Sequence, residues 1–196
     1  TAKKARVTYQ NDLELYEKNK STYEREMENL RTDIANQQEY LDHSIWINMS
    51  PYDVCEARAD LFVSTGYQIM PGMEYQNRDN TDTILQAYQS LLTSSAVLED
   101  VAKQVKTEPR YLEELVEVTI GANQDGQLNR MLTIDVKHTT KEDAEEVLGA
   151  FLAHVDDMHD RIATSIGEHT VSIVNESVSA LVNLDLAELQ RQQTEK

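Results

Sequence analysis

The 196-residue chain has one cysteine, Cys55, so it can form no internal disulfide and no cysteine-rich zinc site. A single cysteine is at home on either side of a membrane and does not fix the compartment. No apolar run approaches the roughly 20 residues that a membrane span requires, and no signal-peptide pattern is present. Positive charge is scarce: 18 basic residues stand against 35 acidic ones, a net charge of −17. Such a surface repels phosphate backbones and anionic headgroups, which argues against nucleic acid as a partner. Glycine (6) and proline (3) are few.

What is present is a core's worth of apolar residues, 40% of the chain, which argues against wholesale disorder. The charge is distributed unevenly. Residues 1–50 carry 7 basic and 9 acidic residues, and residues 51–196 carry 11 and 26, so the first segment presents a different surface from the rest.

Residues 3–42 hold neither glycine nor proline. Within them Tyr9, Leu13, Tyr16, Tyr23, Met27, Leu30, Ile34 and Leu41 follow a 4-3-4-3 spacing, interrupted only by Lys20 and Gln37. About four such heptads predict a coiled-coil helix. A 40-residue helix is about 60 Å long, more than a domain of this size can cover. Residues 1–44 are therefore read as an arm, part of which projects, and the apolar stripe as its association surface. Asp42, His43 and Ser44 end the arm, and Pro51 blocks continuation. Ile45, Trp46, Ile47 and Met49 are too apolar for a solvated linker and are expected to pin the arm to the body, in preference to forming an exposed binding patch.

The remainder alternates strand and helix patterns. Ala57, Ala59, Leu61 and Val63 alternate with Arg58, Asp60 and Phe62, which predicts a strand over 57–63. An irregular loop follows over 66–80. Asn80 or Thr81 is expected to cap a helix carrying Ile84, Leu85, Tyr88, Leu91 and Leu92. Ser94 or Ser95 caps a second helix, and Thr107 and Pro109 open a third, short one. Strands over 116–120 and 128–136 flank the turn GANQDG and predict an antiparallel hairpin. Thr139 with Glu142, or Thr140 with Asp143, forms a capping box ahead of a long helix with a stripe from Ala144 to Ile166. A last strand over 171–177 precedes a polar helical segment, 178–196. The order contains a split βαβ pattern. The fold class is thus α+β: a four-stranded, mostly antiparallel sheet backed by helices, with a long N-terminal coiled-coil-like helix.

Catalytic and metal chemistry finds little footing. His154 and His159 lie five apart, about 140° around a helix, and cannot share one ion; His154 with Asp157 supplies only two ligands. The His-Asp-rich stretch 154–160 reads as a solvated acidic face. Lys137, His138, Thr139 and Thr140 cluster at a strand–helix hinge, but capping accounts for the threonines. No G-x-S-x-G motif exists, and GANQDG lacks the lysine and the following helix of a phosphate loop. No cofactor, metal or catalytic residue is expected, and an enzyme is a minor alternative that would need scattered acids brought together by the fold.

Four segments resemble the extracytoplasmic region of the polysaccharide chain-length determinant proteins, the polysaccharide co-polymerases. ILQAYQSLLTSSAVLEDVAKQV is similar to their helix pair, and YLEELVEVTI to the lead into the next strand. NRMLTIDVKHTTKEDAEEVLGAFLAHV is similar to their strand followed by a long helix, with Thr140 and Glu142 where an acid and proline often stand. HTVSIVNES is similar to their closing strand. Together these cover roughly residues 81–177, within a chain-length-determinant-like domain over 45–177. The chain lacks the family's Pro-rich stretch after that strand and carries the arm in addition, as a larger variant with interleaved helices would.

The resemblance implies a non-enzymatic, membrane-anchored protein with a helix at each end, facing outward and forming homo-oligomers. It implies control of surface polysaccharide length, the polymerase or growing glycan as partner, and in some members a cytoplasmic tyrosine kinase. The membrane helices would lie outside these 196 residues. The alternative is an extracytoplasmic adhesion or adaptor module with a coiled-coil stalk.

Overall fold

The computed structural model describes residues 2–67, 72, 79–123, 126 and 128–194. Most of the expected 66–80 loop and two residues of the GANQDG turn lie outside the described residues. The chain divides into two compact units, 1–44 and 45–196.

The first unit is a single helix, α1 (Ala2–His43). The absence of helix breakers permits its length. Thr8, Thr22 and Thr32 turn their hydroxyls back to carbonyls four residues earlier, which removes the competition these residues usually offer to helical hydrogen bonding. Lys20–Glu24 and Glu28–Arg31 pair along the surface at 3.8 Å, and at this exposure each contributes little.

The second unit is built on one sheet of four strands: β1 (Val54–Thr65), β2 (Val116–Ala122), β3 (Leu128–His138) and β4 (His169–Leu181). Their order is β2-β3-β1-β4, and every pairing is antiparallel. The helices are α2 (Ile45–Asn48), α3 (Thr81–Leu92), α4 (Ser95–Gln104), α5 (Pro109–Glu113), α6 (Lys141–Ser165) and α7 (Leu184–Thr194). The fold is α+β, with the split βαβ order read from the pattern.

The alternation in β1 decides which face is covered. Ala57, Ala59, Leu61 and Val63 are buried and form the main core with Leu132, Ile134 and Val136 of β3. α3, α4 and α6 close it with Ile84, Tyr88, Val101, Leu148 and Phe151. Burying that apolar stripe is what holds α6, since its sequence is otherwise polar. A smaller cluster of Met49, Val54, Leu115 and Leu186, with Ile45 and Trp46 against it, forms between α2, α7 and the sheet end. Trp46 and Met49 are thus packed rather than presented to a partner, within the second unit.

Several boundaries move. β1 runs three residues further back than 57, and β4 continues to Leu181 rather than Ser177, because Val178 to Leu181 pair with Ala57 to Val54. The expected 178–196 helical segment therefore begins at Leu184. Neither Asn80 nor Thr81 caps α3 through its own side chain. Asp79 does, its Oδ1 accepting from the Thr81 amide (3.0 Å) and hydroxyl (2.6 Å). Ser94 occupies the cap position of α4 without a capping bond; its hydroxyl donates to the Leu91 carbonyl at 2.6 Å.

Candidate association surface

The strand–helix hinge is resolved by its hydrogen bonds. Thr140 caps α6, its Oγ1 accepting from the Asp143 amide at 3.1 Å and donating to Asp143 Oδ2 at 2.6 Å. This is the second of the two capping pairs the sequence allowed. His138 is mostly buried, and burial pushes its imidazole below the usual range against the opposing pull of Asp143 at 3.4 Å. The Cys55 thiol, buried opposite His138, donates to the Thr139 carbonyl at 3.8 Å, and Lys137 Nζ lies 6.0 Å over the Trp46 ring.

The 154–160 stretch gathers no ion site. No group of three or more His, Cys, Asp or Glu suited to a metal occurs among the described residues. His159 faces the sheet end, where its Nε2 donates to the His169 carbonyl at 3.0 Å and Asp160 lies 3.3 Å from its Nδ1. These two interactions raise its pKa, the backbone bond contributing most. His169 is buried, and its Nδ1 faces the Gly167 carbonyl at 2.9 Å. A carbonyl only accepts, so Nδ1 carries the proton and Nε2 accepts from the Tyr88 hydroxyl at 2.8 Å. Burial, with help from Asp156, pushes the Tyr88 phenol up to about 12. Sequence spacing gave no hint of this cluster, whose members are 81 residues apart at the extreme.

A second polar network, also invisible in the sequence, crosses the sheet face opposite the main core. Asp60 accepts from Thr133 (2.7 Å), Asn175 (2.9 Å) and Arg58 (3.1 Å). Burial alone would raise this carboxyl, but the three donors outweigh it and hold the pKa low. Asp135, 3.6 Å from Arg58, lacks such donors, and burial pushes its carboxyl up. The network ties β1, β3 and β4 together.

The heptad residues behave differently from all of these. Tyr9, Leu13, Tyr16, Tyr23, Met27, Leu30 and Ile34 stand on α1 with their side chains in solvent, from 41% exposed at Leu13 to 68% at Tyr9. Leu41 is partly covered. Leu15 and Val7 are also exposed, off the stripe. Isolated exposed apolar side chains need no explanation, but a row of seven at heptad spacing, broken only at Lys20, does. Each contributes roughly 1–2 kcal/mol when covered. On a straight helix a seven-residue repeat drifts about 20° per heptad, so the row winds around α1; supercoiling against another helix removes the drift. Tyr16, Tyr23 and Met27 line a shallow groove along this row.

The chain matches no protein-family profile and no curated protein. No helix among the described residues is long and apolar enough to cross a membrane.

Proposed function

We propose that this chain is a non-enzymatic assembly module, the extracytoplasmic part of a membrane-anchored regulator of surface polysaccharide length. The observation that carries the reading is the solvent-exposed heptad row on α1, whose spacing suits helix pairing. From α3 to β4 the α+β unit runs α-α-α-β-β-α-β, and the helix pair, the next strand, the strand with its long helix and the closing strand stand in the order that the resemblance of segments 81–177 implies. The polar clusters of the second unit read as capping and structural ties rather than as chemistry.

In this reading α1 engages another helix, the sheet unit packs beside its neighbours in an oligomer, and the assembly presents a surface to the polymerase or the growing glycan. An adhesion or adaptor module with a helical stalk would use the same row, and the glycan phenotype separates the two.

The test is complementation of cells lacking the gene. Leu30→Glu places a charge in the row, whereas Leu15→Glu makes the same change on exposed helix surface off it. The length distribution of the surface glycan should revert to that of the deletion with Leu30→Glu and stay wild-type with Leu15→Glu. A distribution that the deletion itself leaves unchanged would sink the polysaccharide reading and leave the adaptor.

A further inference from the structure

We infer that the row on α1 takes a helix of different sequence, basic along both flanks, and not a second copy of α1. This rests on the reading of α1 as an association surface and specifies its occupant.

In a two-helix coiled coil the residues flanking the apolar seam face the partner's flanks and set partner choice by charge. Between Tyr9 and Leu41 the charged flanking residues are Asp12, Glu17, Glu24, Glu26, Asp33 and a single cation, Arg31. Every one is exposed. Arg31 and Glu24 already have partners on their own helix, in Glu28 and Lys20. Gln10, Asn19, Gln38 and Tyr40 fill the remaining flank positions, so the charge bordering the apolar seam is acidic at five of six sites.

Self-pairing sets these charges against each other. In a parallel pair, Asp12 of one copy meets Glu17 of the other, and Lys20 in the seam meets the second Lys20; only Glu26 against Arg31 is favourable. In an antiparallel pair with the seams fully overlapped, Asp12 meets Asp33, and only Arg31, facing an acid of the other copy, makes a favourable flank contact. The net charge of −17 adds a repulsion between whole copies. A helix with lysine or arginine on both flanks gives each of the five acids a favourable contact at the expense of Arg31 alone, and a polar or acidic seam residue opposite Lys20 answers the one cation in the seam. The seam supplies affinity and the acidic border supplies selectivity.

The experiment uses the 196-residue chain and two synthetic 35-residue helices, both with leucine at the seam positions, one with lysine on every flank and one with glutamate. The chain should sediment as a monomer at neutral pH. It should bind the lysine-flanked helix at least about tenfold more tightly than the glutamate-flanked one, and the difference should shrink in high salt. Leu30→Glu should lose at least about tenfold of that binding. A variant carrying Glu17→Lys, Glu24→Lys and Asp33→Lys, with its helix content checked by circular dichroism, should reverse the preference.

A dimer of the chain that Leu30→Glu dissolves would keep the association surface and overturn the inference about its occupant. Equal binding of the two helices would overturn it too. So would lysine-helix binding indifferent to Leu30→Glu, which is adventitious attraction to an acidic chain. A monomer that binds neither helix would sink the association surface itself.

Discussion

Asp60 shows how much of this molecule is decided by single side chains that sequence patterning places only on a face. Its alternation with Ala59 and Leu61 puts it on the sheet surface opposite the core, and that much is legible. That Thr133 and Asn175 reach it is not, because the contacts depend on a register joining residues 73 and 115 positions away. The same holds for Tyr88 and His169. Asp60→Asn removes the charge that three donors address and should destabilise the fold by about 1–3 kcal/mol at pH 7, measured by urea denaturation. A depressed carboxyl contributes stability above its unfolded pKa of about 4 and loses it as pH falls through the lower folded value. The gap between wild type and variant should therefore close as pH falls below about 4. A gap that is constant from pH 7 to pH 3 would show that the charge is immaterial.

At the scale of elements, patterning works wherever one face is buried and fails at ends. The α6 stripe from Ala144 to Ile162 is buried as its 3.6-residue spacing predicts. Phe151 lies at the centre of that stripe and is fully buried, so Phe151→Ala should cost about 3–5 kcal/mol by thermal or chemical unfolding. A loss under about 1 kcal/mol would mean that α6 is not fastened to the sheet through this stripe. β4 ran longer than its reading because it is an edge strand. Most of its residues are exposed on both faces, and alternation carries little signal where neither face is firmly buried. Asn80 holds the cap position of α3 as read, but the side-chain bond there comes from Asp79, since adjacent residues compete for the same amide and only local backbone geometry decides. The heptad row on α1 was legible because a seam repeats, and repetition survives in a single sequence where long-range pairing does not.

The whole molecule joins a folded α+β unit, complete with its own core, to a helix of 42 residues that buries almost none of its apolar row. An isolated helix owes most of its stability to packing on something else, so the energetics of this row are unfinished within the helix itself. Its acidic border narrows what can finish them, and the net charge sets the same preference at longer range. The most direct measurement is the size of the complex that holds the full-length protein in detergent extracts of its own cells, compared for wild type, Leu30→Glu and Leu15→Glu. The account predicts that Leu30→Glu shifts the protein to a smaller species while Leu15→Glu leaves it in the wild-type complex. An unchanged complex with Leu30→Glu, or an equal loss with Leu15→Glu, would contradict the assignment of the α1 row as the surface through which this protein assembles.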